Sequence, residues 1–387
     1  MADPYAQIDA VRDARVNAVN NAYTDTSKPD VPSWKPAVLK HAWLLNDGKR
    51  LPVVNLFHPA LEHDALKFLR DFDELCAAIP WNDSQREYIG KLLAPEGGLP
   101  LISCSPAAGK GALMVHTSNF AETNGMKVLI TGMEESSLNR FGEEYCRTFP
   151  HAQSPVLVTS VPDVLPPIYQ APETDKHEIL MFHAMLELDE HLGPSICGER
   201  SFTIEAKIKQ LLDDPDSKTI MRHFTIGYDE VRKTDIVDGE KRDMVQYLRD
   251  AMPKLKEHHI IDDSYWSVGV RRRLCQAIKH CRAQVIQDAK ILICTCYISG
   301  KKEISKYFAT DVDTVVLIFD EARTCTEPDA LIAIATPDFA RKIDAVIMFG
   351  DISGRGPIPS LHPQMNISLF ERLVRTGHPL LVLSDQN

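Results

Sequence analysis

Seven short apolar runs constrain this chain more than any other feature. They occupy 99–104, 127–131, 155–160, 291–296, 314–319, 345–349 and 379–383. Several are rich in Val and Ile, they are bounded by Gly or Asp, and stretches of helical periodicity separate them. A strand buried on both faces reads as a continuous apolar run, and such strands belong to parallel sheets covered by helices. The chain therefore reads as α/β, a parallel sheet flanked by helices. A long segment intervenes after the third run. It opens on Pro162, Pro166, Pro167 and Pro172 and continues as acidic, mostly helical sequence such as 179–192 and 241–252. Before the first run, 5–20 reads as a short amphipathic helix, 24–36 as a linker, and 60–79 as a helix closed by Pro80. The expected organisation is an N-terminal helical and linker region over 1–80, a sheet domain over 81–160 and 286–387, and an inserted helical subdomain over 161–285.

Composition removes several classes. At 44 % hydrophobic and 25 % charged residues the chain is globular, and it holds no apolar run of the roughly 18 residues a membrane span needs. The opening Met1-Ala2-Asp3-Pro4-Tyr5 lacks a secretory leader's basic and apolar regions, so the expected location is nucleus or cytoplasm. Nine Cys without paired metal-ligand spacing read as reduced thiols. The net charge of −11 argues against a surface that wraps nucleic acid all round. The charge is uneven, however. Residues 171–270 carry 21 acids against 13 bases, whereas 271–306 carry nine bases, Arg271, Arg272 and Arg273 among them, against two acids. A solvated helix face and a local phosphate-contacting patch both account for that basic stretch. His258-His259 with Asp262-Asp263 reads as a solvated loop, and Trp81 and Trp266 read as core or capping residues rather than base-stacking ones.

Three strand ends carry the chemistry. In Ile102-Ser103-Cys104-Ser105-Pro106-Ala107-Ala108-Gly109-Lys110-Gly111 a strand enters a turn of small residues, then Gly-Lys, then a helical run. A phosphate loop needs that order: small residues let backbone N–H groups curl around phosphate, and Lys reaches the outer oxygens. The pattern G-x-x-x-x-G-K-[ST] is incomplete, with Cys104 for its first Gly and Gly111 for its hydroxyl residue. In the second segment, the strand over 315–319 ends in Asp320-Glu321, the acids that hold Mg²⁺ and activate water in a phosphate-loop enzyme, or an acidic helix cap. The third strand, 345–349, ends in Gly350-Asp351.

In this order the segments resemble the first RecA-like domain of superfamily 1 helicases, in the up-frameshift and senataxin-like branch, over roughly 81–387. Asn82-Asp83-Ser84-Gln85 is similar to the family's adenine-reading N-x-S-Q. Asp320-Glu321-Ala322 with Glu327-Pro328-Asp329-Ala330-Leu331 is close to D-E-A-x-x-x-x-E-P-x-A-L, the most specific signal in the chain. Gly350-Asp351 with Pro357 fits G-D-x-x-Q-L-x-P, and Ser368-Leu369-Phe370-Glu371-Arg372-Leu373 is similar to the segment before the second motor domain. The resemblance implies a RecA-like sheet with ATP and Mg²⁺ as cofactors. It places ATP against Gln85, Ser105, Pro106, Ala107, Ala108, Gly109, Lys110, Gly111 and Asp351. Lys110 would neutralise the phosphates, Asp320 would hold the metal, and Glu321 would polarise the attacking water. RNA or single-stranded DNA would pass Ser136, Ser137 and Thr295, with Arg271, Arg272 and Arg273 as phosphate contacts.

The chain also departs from the pattern. Gly111 lacks the metal-binding hydroxyl, so Mg²⁺ is expected to add little to nucleotide affinity. Gly354 and Arg355 stand for Gln-Leu, which removes the γ-phosphate sensor. Glu134 and Glu135 stand for Ser-Asn near nucleic acid, where an acid repels phosphate. The sequence ends at Asn387, where the family continues into a second motor domain that supplies an arginine. Two expectations follow. One is a helicase-type domain that binds ATP and nucleic acid weakly and needs a partner protein or a second motor domain in trans. The other is a non-enzymatic scaffold descended from such a domain.

Overall fold

The computed structural model describes residues 65–92, 99–105, 108–153, 155–159, 202–214, 248–251, 268–312, 314–335, 342–360 and 366–383. The expected helices over 5–20 and 179–192, the linker over 24–36, the 258–263 loop, Trp266, Pro106 and Ala107 lie outside these residues. The described residues fall into two compact units, those up to 148 with those from 290 onward, and those over 149–289.

Six strands of the first unit pair in parallel: β1 (Leu101–Cys104), β2 (Lys127–Gly132), β4 (Ile291–Thr295), β5 (Val315–Phe319), β6 (Ile343–Gly350) and β7 (Leu380–Leu383). Their order across the sheet is β4-β2-β5-β6-β1-β7. In register, Ile130 lies beside Ile293 on one side and Ile318 on the other, while Ile318 lies beside Ile347. These four side chains are fully buried, as the continuous apolar runs require. β7 forms the edge, and its Val382 is 60 % exposed.

Around the sheet stand α1 (Ala65–Ala77), α2 (Asp83–Leu92), α3 (Lys110–Thr123), α4 (Glu135–Thr148), α7 (Cys296–Ser299), α8 (Lys302–Tyr307), α9 (Glu327–Ala335) and α10 (Leu369–Arg375). Helix α1 fills most of the expected 60–79 span. Trp81 is buried, gives its ring N–H to the Leu75 carbonyl at 2.9 Å and packs edge-on against His116, which is the core role its sequence suggests. Because β6 lies between β1 and β5, the ends of those two strands stand two strand spacings apart, about 10 Å. A lysine at the start of α3 spans that gap.

The second unit contains β3 (Val156–Val158), α5 (Ile204–Asp213) and α6 (Val268–Asp288). Thr203 caps α5 by accepting the Ala206 N–H at 3.2 Å. Arg282 of α6 pairs at 3.2 Å with the buried Glu205, so one of the nine bases in the 271–306 stretch neutralises an acid inside this unit. Arg271, Arg272 and Arg273 belong to the first turns of α6.

Candidate nucleotide-binding site

Two devices fix the loop after β1. Gly109 has φ 76°, a left-handed conformation that a residue with a Cβ enters at a cost, and it turns the chain from the loop into α3. Gln85 holds the same turn from α2. Asn82 Oδ1 accepts the Gln85 backbone N–H at 2.9 Å, and Gln85 Oε1 accepts the Asn82 N–H at 3.0 Å. The N-x-S-Q segment is therefore a reciprocal capping box at the start of α2. The remaining donor, Gln85 Nε2, reaches the Ala108 carbonyl at 2.9 Å, and Gln85 is fully buried. In this arrangement Gln85 anchors the loop, with both ends of its amide engaged.

Across the gap, Lys110 meets the carboxylates at the end of β5. Its ammonium lies 2.8 Å from Asp320 Oδ1 and pairs with Glu321 Oε1 as well. Burial works against that charge, but Asp320 and Glu321 outweigh it and hold the Lys110 pKa above the ordinary lysine value. Asp320 is 4 % exposed and Glu321 is half-buried. Glu321 also has φ 50°, and it is the only non-glycine residue with positive φ among those described. Left-handed backbone costs an L-residue roughly 1 kcal/mol or more, and such strain tends to collect at functional sites. At the loop's first position Cys104 stays a neutral thiol. Burial, reinforced by Glu321, Asp320 and Asp351 against Lys110, pushes it up to about 12.

The donor set fits a magnesium ion carried in with nucleotide phosphates. Such an ion takes one or two protein carboxylates and completes its shell with phosphate and water. Asp320 Oδ1 is buried and has no partner at hydrogen-bonding angles, although the Lys110 charge stands beside it. Among the described residues no three His, Cys, Asp or Glu side chains converge as a self-sufficient metal cage. The space beside Gly111, where the pattern calls for a hydroxyl residue, is filled: a Cβ there would stand 2.5 Å from Glu144 Oε2. Glu144 comes from α4, and burial raises its pKa.

The neighbouring strand end is arranged differently. The Asp351 carboxylate turns back on its own loop, accepting the Ser353 N–H at 2.9 Å and the Ser353 hydroxyl at 2.6 Å. That hydroxyl does most to hold its pKa below the usual aspartate value. A Cβ on Gly354 would lie 3.0 Å from Asp351 Oδ2. Arg323, two residues after Glu321, gives Nη1 to the Asp351 carbonyl at 3.0 Å and to the Ile352 carbonyl.

The structure thus brings Lys110, Asp320 and Glu321 together, with Ala108, Gly109 and Gln85 behind them. Ser105 lies at the end of β1, and Asp351 faces its own turn. Ser136 is exposed on the first turn of α4, and Thr295 caps α7, its hydroxyl accepting the Ile298 N–H at 3.4 Å. Ser137 is buried instead, and its hydroxyl donates to Asp320 Oδ2. Sequence reasoning missed both Ser137 as a partner of Asp320 and Glu144 beside Gly111.

The family's sequence pattern, described as an AAA domain, matches residues 80–353. The chain belongs to this AAA-domain family of superfamily 1 helicase type. A 116-residue stretch is 28 % identical to the ATP-dependent helicase NAM7 of Saccharomyces cerevisiae. That stretch is 29 % of this chain and 11 % of NAM7, so the match spans about a tenth of that protein. A RecA-like, phosphate-loop fold accords with the parallel sheet and its flanking helices. Beyond the matched residues, the helix over Leu369–Arg375 is tied back to them. Glu327 of the E-P-x-A-L segment binds Arg372 of α10 through paired bonds of 2.8 and 2.9 Å, a fork that ties α9 to α10.

Proposed function

We propose that this polypeptide binds ATP in the cleft at Lys110, turns it over at near-background rates by itself, and contacts single-stranded nucleic acid weakly at the C-terminal ends of β2 and β4. The observation that carries the reading is the Lys110 ammonium held between Asp320 and Glu321. With no phosphate present, the carboxylates neutralise the lysine. A triphosphate would take the lysine from them, leaving Asp320 to face the metal and Glu321 to face water. Bound magnesium would supply charge neutralisation on the phosphates. Gln85 holds the Ala108 carbonyl and Gly109 turns the chain into α3, where helix-start N–H groups would face phosphate.

Calorimetry tests the first part. Weak, millimolar-range ATP binding that disappears in Lys110→Ala is expected; binding unchanged by that substitution, or none in the unaltered chain, retires the reading. Phosphate release tests the second. Turnover in this class is mostly positioning and charge stabilisation, and an added arginine is worth about 10³–10⁵ in rate. Residues 1–387 assayed alone should therefore release phosphate at near-background rates, with or without RNA. Robust turnover that is lost in Glu321→Gln would show a complete catalytic cleft.

A second reading, a scaffold without turnover, draws on Asp351. Its carboxylate is engaged by Ser353, and Gly354 presents no side chain to a γ-phosphate. The RNA part is tested at Glu134, exposed just beyond β2, and its neighbour Glu135. Glu134→Ser with Glu135→Asn should strengthen a salt-dependent interaction with single-stranded RNA. No change would move the nucleic-acid path off this loop.

A further inference from the structure

The incomplete phosphate loop has a compensating feature on another helix. A loop hydroxyl next to the lysine normally stands between the helix and the metal-binding carboxylate. Here Gly111 has none, and the Glu144 carboxylate fills the space beside it. The metal carboxylate nevertheless has a hydroxyl on it. Ser137, in the first turn of α4, donates to Asp320 Oδ2, and both side chains are buried. That bond leaves the other oxygen, Oδ1, turned toward Lys110 and without a well-angled donor. One carboxylate oxygen is thus fixed by a neutral hydroxyl while the second faces the Lys110 ammonium, the cation that a triphosphate would draw away and a metal would replace.

We propose that Ser137 supplies the hydroxyl of the divalent-metal site, moved from position 111 of the loop to α4. The inference rests on the nucleotide reading above and adds to it. It also reverses the expectation drawn from Gly111: magnesium contributes substantially to ATP affinity in this chain. Ser137 acts on the metal by setting Asp320, so it is a positioning residue, and its contribution appears in metal dependence rather than in binding of nucleotide alone. Glu144 belongs to the same rearrangement. Its carboxylate lies at the far end of a flexible side chain, two helical turns along α4 from Ser137 and on the same face.

The test measures ATP affinity of the full chain by calorimetry, once with Mg²⁺ and once with excess EDTA. The unaltered chain should bind more tightly with Mg²⁺. Ser137→Ala should reduce that advantage about tenfold, leaving affinity in EDTA unchanged. Ser137→Thr, which keeps the hydroxyl, should retain the advantage. Adding Gly111→Ser with Glu144→Ala to Ser137→Ala should restore it, since the hydroxyl then returns to the loop and the space beside it is cleared. A purely structural role for Ser137 would lower affinity equally with and without metal, which overturns the proposal. ATP binding in EDTA that Mg²⁺ does not improve also overturns it, while the nucleotide site stands. Absence of ATP binding under both conditions overturns both readings.

Discussion

The ends of β5 and β6 are neighbours in one sheet, yet their acids have opposite settings. At the end of β5, Asp320 is buried, joined to a lysine from β1's side and to a serine from α4, and followed by a residue in left-handed backbone. At the end of β6, Asp351 is half-buried and bonds to the residue two places on. Long-range contacts hold the first site, from positions about 200 residues distant in sequence; local ones hold the second. The metal and water chemistry proposed here belongs to the first end, and the γ-phosphate contact that the family resemblance implies belongs to the second. The structure keeps a cross-linked network at one and a self-contained turn at the other.

The largest effect that would sharpen this contrast comes from Lys110→Met. It leaves the buried Asp320 carboxylate without its cation and should cost about 3 kcal/mol, within the range for breaking a buried ion pair. Adding Asp320→Asn should recover part of that loss in urea unfolding. If the single variant costs no more than a surface change, the network is not a buried one in solution. Arg323→Ala comes next. Arg323 bridges the two ends through carbonyls 351 and 352, and its loss should cost about 1.5 kcal/mol. Hydrogen exchange should rise at Ile352 and Ser353 and stay unchanged across β5. Equal acceleration at both ends would mean they open as one unit.

Asp351→Asn should cost only about 0.5 kcal/mol, because the amide oxygen still caps the turn. A loss as large as that of Lys110→Met would erase the distinction. The smallest effect concerns pH. The Asp351 pKa is depressed, chiefly by the Ser353 hydroxyl. Its stabilising contribution is therefore complete above the unfolded aspartate value, about 3.9, and is lost as pH falls through the lower folded one. In Ser353→Ala a carboxyl NMR titration should move the midpoint back up toward the unfolded value.

The sheet was legible because its chemistry is collective. Runs such as 291–296 and 314–319 must be apolar throughout to lie between two helical layers, so β4 and β5 declare themselves without any partner being known. The Lys110, Asp320 and Glu321 cluster was legible because strand-end chemistry is tied to residue order. Ser137 was not. The family frame set it beside nucleic acid, and its bond to Asp320 joins positions 183 residues apart with no spacing rule between them. Glu144 was hidden for the same reason: a helix face tells which residues turn inward and is silent about which glycine they meet. Gln85 was found by its motif, while its bond to Ala108 depends on how α2 packs against the loop.

Glu321's backbone angle bears on the history of this chain. Glycine at that place would remove a standing strain of roughly 1 kcal/mol, and two nucleotide changes in a glutamate codon are not needed to reach it, since GAA and GGA differ by one. A sequence library covering position 321, selected only for folded yield, should enrich glycine and asparagine over glutamate. The same library selected for nucleotide-dependent behaviour should hold glutamate, and the divergence between the two would measure how far this site is still under selection for chemistry rather than for shape.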